Sequence, residues 1–356
     1  MQNQFNTIIP AIRMMLSSDG LKNVKYFTEG ELPAAAENIV VDFSENVLNE
    51  LSEIIKSNGK AIEAITIKGF GSLLVSESPK SNGRADQRIA IVTGGAQGFG
   101  AGIVENLMQN GANVVIADLN EEKGQEFAAQ LNAAGTANKA LFVKANVADA
   151  VSVENLITET VKEFGGLDVF ISNAGILRAG GLDEMTPETF ELMTKVNYSA
   201  YFLCAKYASK VLKVQNQWKA DHFTDIIQIN SKSGLKGSNK NFAYAGGKFG
   251  GIGLTQSFAL ELMPYKIKVN SVCPGNFFDG PLWSDPETGL FVQYLRAGKV
   301  PGAKTIEDVK KFYEAQVPAG RGCTPLDVMR AVYYIIEQEY ETGQAVPVTG
   351  GQNMLN

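Results

Sequence analysis

The sequence predicts an α/β fold: a doubly wound parallel sheet of seven strands with helices on both faces, preceded by a small α+β extension. Three observations carry this expectation. After residue 86, short β-branched runs alternate with helical stretches, the pattern of strand–helix–strand crossovers. A glycine-rich string, Thr93-Gly94-Gly95-Ala96-Gln97-Gly98-Phe99-Gly100, follows the first of these runs and leads into a helical stretch. A change of composition near residue 80 sets this region apart from what precedes it.

In the first part, residues 45–57 carry apolar side chains at Val47, Leu48, Leu51, Ile54 and Ile55, a helical stripe that Ser44 can cap. Residues 61–67 and 72–75 read as short strands around Lys68-Gly69-Phe70-Gly71. Residues 1–80 are too few to bury much by themselves, so they are expected to pack on the larger domain or on another copy of the chain. Residues 76–86 are polar and punctuated by Pro79 and Gly83, as a linker or surface crossing would be. A dinucleotide-scale domain then spans 86–356, with strands at 88–92, 113–117, 140–143, 167–172, 225–230, 266–272 and 344–348. Helices fit between them, at 103–110, 121–134 and 151–164 among others. Residues 276–318 break the rhythm, and loops of that length are usually lids or binding segments.

Bulk properties exclude several classes of function. The 356 residues carry a net charge of −6 with Lys and Arg dispersed, which offers no footprint for nucleic acid or an anionic membrane. No apolar run approaches the roughly 18 residues of a spanning helix, and Pro10 and Arg13 interrupt the stretch 8–16. Cys204, Cys273 and Cys323 lack metal spacing and form an odd count, which points to a reducing, cytoplasmic compartment. A single histidine, His222, rules out a multi-histidine metal site, and no metal is expected. Its position before a strand and outside any nucleophile turn reads as a surface histidine.

The glycine string can seat a pyrophosphate. Gly94, Gly98 and Gly100 lie between strand and helix, where residues without Cβ allow strained angles and close approach of backbone N–H groups. Asp118, 24 residues after Gly94 at the end of the second strand, can accept from the adenosine ribose hydroxyls. It would repel a 2′-phosphate, and the following Leu119 and Asn120 bring no cation, so NAD is expected over NADP. Farther along, Tyr244 and Lys248 share a helical face. An ammonium near a phenol favours the phenolate and would draw its pKa towards the working range. Ser231, thirteen residues before Tyr244 and at a strand end, can hold a substrate oxygen beside that phenol.

These motifs, in this order, resemble the short-chain dehydrogenase/reductase family over roughly residues 86–356, and with it a Rossmann-like sheet. Further matches are Ser172-Asn173-Ala174-Gly175, Lys195-Val196-Asn197 and Val269-Asn270-Ser271-Val272-Cys273-Pro274-Gly275. The resemblance implies that Tyr244 is the general acid/base, that Ser231 orients the substrate oxygen, that Lys248 lowers the tyrosine pKa and contacts the nicotinamide ribose, and that Asn197 holds a water. It places Gln97 and Phe99 in the cofactor turn, Asn173, Ala174 and Gly175 beside the adenine and ribose, and Asn146 and Val147 near the adenine, where many members have Asp in place of Asn146. Pro274, Gly275, Asn276 and Phe277 would flank the carboxamide. Two-fold symmetry, as a homodimer or homotetramer, would run through helices near 191–211 and 244–262, with Phe258, Leu260 and Leu262 as an apolar face.

A narrower resemblance comes from Ile226-Ile227-Gln228-Ile229-Asn230-Ser231-Lys232-Ser233-Gly234, Lys248-Phe249-Gly250-Gly251, Gly253-Leu254-Thr255-Gln256-Ser257, residues 317–323 and Val348-Thr349-Gly350-Gly351-Gln352. These stretches are similar to the sorbitol-6-phosphate 2-dehydrogenase branch, which implies NAD-dependent oxidation of a sugar-alcohol phosphate to the ketose phosphate. A phosphate requires cations at the pocket mouth. Arg178 is the first candidate, followed by Lys232, Lys236 and Lys240, with Ser233 beside them. Alternatives are an unphosphorylated polyol or small hydroxyaldehyde as substrate, or a non-catalytic NAD(H)-sensing regulator, although such proteins usually lose the tyrosine or lysine. Residues 64–75 resemble the last strands of class II aldolase-like domains. Residues 1–80 contain no histidine, so any such piece would be a remnant without lyase activity.

Overall fold

A helix with a proline and an arginine inside it opens the chain: α1 (Gln2–Leu16), which buries Phe5, Ile8, Ile9 and Ile12 on one face. The computed structural model describes residues 2–33 and 38–354. After α1 come β1 (Lys22–Phe27), β2 (Asn38–Asp42), α2 (Val47–Ser57), β3 (Ala64–Lys68) and β4 (Gly71–Glu77). The four strands form one sheet in the order β1-β4-β3-β2, with only β2 and β3 parallel. The expected cap of α2 is corrected: Asn46 is the N-cap without a side-chain bond, and Ser44 contributes only its carbonyl, to Val47 N–H.

The extension does not stand apart. α1 lies against α5 (Ala150–Phe164) and α7 (Ala200–Trp218), and their apolar faces merge into one core with Val24 and Leu73. Gly165, left-handed at φ +93° after α5, sits so tightly on β1 that a Cβ would fall 2.7 Å from Val24 Cβ. Deeper, Arg13 makes two bonds to the buried Asp168 carboxylate, at 3.0 and 2.8 Å. His222 Nε2 lies 2.9 Å from the same carboxylate. His222 is therefore buried, not on the surface: a lone imidazole sits inside because a carboxylate waits there.

The larger region runs β5 (Ile89–Thr93), α3 (Gly98–Gln109), β6 (Asn113–Asp118), α4 (Glu121–Ala133), β7 (Ala140–Lys144), α5, β8 (Val169–Ser172), α6 (Pro187–Thr194), α7, β9 (Thr224–Ile229), α8 (Phe242–Leu262), β10 (Ile267–Pro274), α9 (Pro281–Ser284), α10 (Leu290–Arg296), α11 (Ile306–Ala315), α12 (Pro325–Glu337) and β11 (Ala345–Val348). The seven strands β5–β11 pair in parallel in the order β11-β10-β9-β8-β5-β6-β7. One face is covered by α3, α4 and α12, the other by α5, α7 and α8. Chain direction across the sheet reverses between β5 and β8, so a crevice opens at their carboxyl ends.

Two expectations change at this level. Leu262 and Phe258 join the core, whereas Leu260 is 84% exposed, so the three do not form one face. The irregular stretch 276–318 holds α9, α10 and α11, and its Phe278, Trp283, Phe291, Tyr294 and Tyr313 build a separate aromatic cluster. Tyr244 packs against that cluster.

Candidate active site

The crevice is lined first by the glycine turn. Gly94 and Gly98 adopt φ of +61° and +60°, angles that cost little only without a Cβ. At Gly100 a Cβ would lie 1.9 Å from Gly94 O, so α3 closes directly on the turn. Gln97 occupies the N-cap in extended conformation without a side-chain bond, which leaves the first N–H groups of α3 without a side-chain cap. Asn173 fastens the neighbouring loop to this turn: its Nδ2 donates to Thr93 O (2.9 Å) and Gly94 O (3.1 Å), and its N–H and that of Ala174 donate to Thr93 Oγ1.

Asp118 ends β6 beside the turn, where its Oδ2 accepts from Ala96 N–H at 3.1 Å and its Oδ1 from Asn120 N–H at 3.0 Å. Next along the same edge, Asn146 Oδ1 accepts from Ala148 N–H, and Val147 is buried. On the opposite side, Phe277 rests on Phe99 with ring centroids 4.9 Å apart, following Pro274 and the half-buried Gly275. Asn276 Nδ2 is buried without a partner among the described residues. An uncapped helix start, left-handed glycines and an orphaned amide donor together fit a dinucleotide cofactor.

The side chains expected to carry the chemistry stand between β8, β9 and α8. Asn197 lies in a π-helical turn, Lys195–Ser199, which joins α6 to α7, and such turns often mark working sites. Its Oδ1 accepts from Ile176 N–H (2.9 Å) and its Nδ2 donates to Ile176 O (2.8 Å), so it braces the loop carrying Gly175. Ser231 follows β9, and its Oγ accepts from Ser233 N–H at 3.1 Å. Lys248 is buried, with Nζ 2.9 Å from Ile229 O and 5.5 Å from the Tyr244 ring centroid.

Burial pushes Tyr244 up to about 12, against a hydrogen bond to Ser231 that pulls the other way. Burial also lowers Lys248 to about 8. The expectation of a phenol drawn down by its ammonium is thus reversed for the protein groups alone, because removal from water disfavours both charged forms.

The residues considered for a substrate phosphate separate. Arg178 is exposed and donates to Leu177 O at 3.1 Å, and Lys236 is exposed. Lys240 is ion-paired to Glu184 at 3.3 Å. Lys232 is half-buried beside Ser233, with Nζ 3.1 Å from Gln352 Oε1, and burial followed by the charge of Lys299 lowers it to about 8. Lys299 escaped the sequence reading because nothing in the aperiodic stretch 276–318 singles it out. The fold alone carries its Nζ over the Tyr294 ring, 4.0 Å from the centroid.

A family pattern described as short chain dehydrogenase matches residues 88–283. Sorbitol-6-phosphate 2-dehydrogenase of Escherichia coli is 35% identical over 274 residues, covering 75% of this chain and 99% of that protein. A 2,5-dichloro-2,5-cyclohexadiene-1,4-diol dehydrogenase of Sphingobium indicum is 32% identical over 74% of this chain and 95% of its own length. The crystal structure of sorbitol-6-phosphate 2-dehydrogenase from Erwinia amylovora superposes with a TM-score of 0.68 at 37% identity, covering 75% of this chain and 100% of that one. The protein is accordingly an oxidoreductase acting on a CH–OH group with a nicotinamide cofactor, and the chain belongs to the short-chain dehydrogenase/reductase family.

Proposed function

We propose that the protein oxidises the C2 hydroxyl of a sugar-alcohol phosphate, sorbitol 6-phosphate, to fructose 6-phosphate, with NAD as acceptor. The observation that carries this reading is the half-buried Lys232 directly after Ser231, a cation at the mouth of a site that otherwise handles an alcohol. Likeness to two sorbitol-6-phosphate 2-dehydrogenases supports the same substrate.

In this reading Ser231 donates to the substrate oxygen and Tyr244 accepts the hydroxyl proton as the carbinol C–H bond breaks. When bound, the nicotinamide supplies the acceptor for that hydride. Tyr244 can act as base only if positive charge offsets its burial, and Lys248 is the cation of this chain placed to supply it. Asn197 acts as a positioning residue through Ile176. Asp118 selects NAD by accepting from ribose hydroxyls and repelling a 2′-phosphate. Exposed Phe202 and Phe249, on α7 and α8, suit a homodimer or homotetramer, and three free cysteines suit the cytoplasm. The extension serves packing rather than catalysis.

The test is NAD reduction with sorbitol 6-phosphate, sorbitol and a small panel of hydroxyaldehydes. The phosphate ester should have the highest kcat/KM, and Tyr244→Phe should lower that value by about 100- to 10,000-fold. Preference for a free polyol, or full activity of Tyr244→Phe, would overturn the substrate or the catalytic assignment respectively.

A further inference from the structure

We propose that Lys299 and Lys232, brought together at the rim of the Tyr244 site from two distant stretches of chain, form the binding site for the phosphate of the substrate. This rests on the polyol reading above and names the groups that recognise the end of the molecule remote from the reacting carbon.

Lys299 follows α10, and its N–H donates to Tyr294 O at 2.9 Å. Its Nζ lies 4.0 Å from the centroid of the Tyr294 ring. That ring is wedged between Trp283 (5.7 Å) and Tyr313 (5.4 Å), in the cluster on which Tyr244 packs. The cation is therefore carried on the aromatic cluster against which Tyr244 packs. From the other side Lys232 adjoins Ser231, its amine held by Gln352.

Among the described residues no carboxylate pairs with either amine, whereas neighbouring Lys240 is ion-paired to Glu184. Burial lowers Lys299 to about 8, with Lys240 adding to the effect, and Lys299 in turn depresses Lys232. Two partly desolvated ammonium groups with no counter-ion disfavour each other. A phosphate dianion between them removes that repulsion and gains charge-assisted hydrogen bonds.

The experiment compares wild type with Lys299→Met, Lys232→Met and Lys299→Arg by steady-state kinetics with NAD. The quantity read is kcat/KM for sorbitol 6-phosphate divided by that for sorbitol. Each Met variant should lower this ratio about 10- to 100-fold, chiefly through KM, and Lys299→Arg should retain most of it. Lys236→Met, altering an exposed lysine, should leave the ratio as it was. Inorganic phosphate should compete with sorbitol in wild type and lose at least tenfold in potency in both Met variants. A ratio within about twofold of wild type in both Met variants would overturn the site. Should wild type itself favour a free polyol, the substrate reading fails, and phosphate competition then decides this inference alone: absence of competition overturns it. Should Lys299→Met fail to fold, Lys232→Met and Lys299→Gln carry the comparison.

Discussion

Tyr244 and Lys248 illustrate how one environment acts on two groups of opposite sign. Burial drives the phenol up to about 12 and the amine down to about 8, so each is pushed towards neutrality. Asp118 is different: its carboxylate lies at the crevice edge and takes two backbone N–H groups, from Ala96 and Asn120. It thereby fixes the glycine turn and, in the proposed reading, presents negative charge to the adenosine ribose. Replacing it with Ala should lower kcat/KM for NAD by about 10- to 100-fold while affecting NADP less, since loss of repulsion offsets loss of the bonds. Steady-state kinetics with both cofactors check this, and an unchanged NAD/NADP ratio would remove Asp118 from the selectivity argument. That Asp118 and Ser231 stand at strand ends and Tyr244 and Lys248 on one helix was legible in the sequence, because local spacing ties each to its element. His222 and Lys299 were not, because their partners Asp168 and Tyr294 give them meaning only after folding.

At the scale of elements, the glycine turn and α3 behave as one piece. Gly98 needs its positive φ, but Gly100 has an ordinary helical backbone and is required for space alone, with Gly94 O 1.9 Å from where a Cβ would stand. Because the obstacle is backbone, Gly100→Ala must move α3 away from the turn. That overpacking should cost about 1–3 kcal/mol in chemical denaturation and weaken NADH binding in parallel, measurable by fluorescence titration. Stability and affinity both at wild-type level would mean that the helix start can shift freely. The seven strands of the large sheet could be read because buried parallel strands are continuous β-branched runs, and each lies within about three residues of its expected place. α1 was missed although Phe5, Ile8, Ile9 and Ile12 follow helical spacing, since Pro10 and Arg13 interrupt the stripe. β1 and β2 were missed because each strand depends on partners in the small sheet rather than on its own pattern.

At the scale of the whole molecule, the extension and the dehydrogenase region are joined by a buried ion pair as well as by apolar packing. Arg13 from α1 meets Asp168 just before β8, and the same carboxylate takes Ile89 N–H at 2.8 Å and His222. Burial alone would raise the Asp168 pKa. The Arg13 charge, then the His222 bond and charge, outweigh it and hold the carboxyl well below its usual range. A depressed carboxylate contributes stability that is fully present above its unfolded pKa and is lost as pH falls towards the folded one. Arg13→Leu strands that charge in the interior and should cost about 3–5 kcal/mol at neutral pH, because the desolvation remains after the partner is gone. The difference between wild type and the variant, followed by denaturant unfolding across pH, should be flat above about pH 5 and shrink below about pH 4 as Asp168 takes up its proton in the variant first. A difference that stays constant into acid would assign the loss to packing of the arginine stem. A loss of under about 1 kcal/mol at neutral pH would show that the extension is held by its apolar face alone, with Phe5, Ile9 and Ile12 sufficient to dock α1.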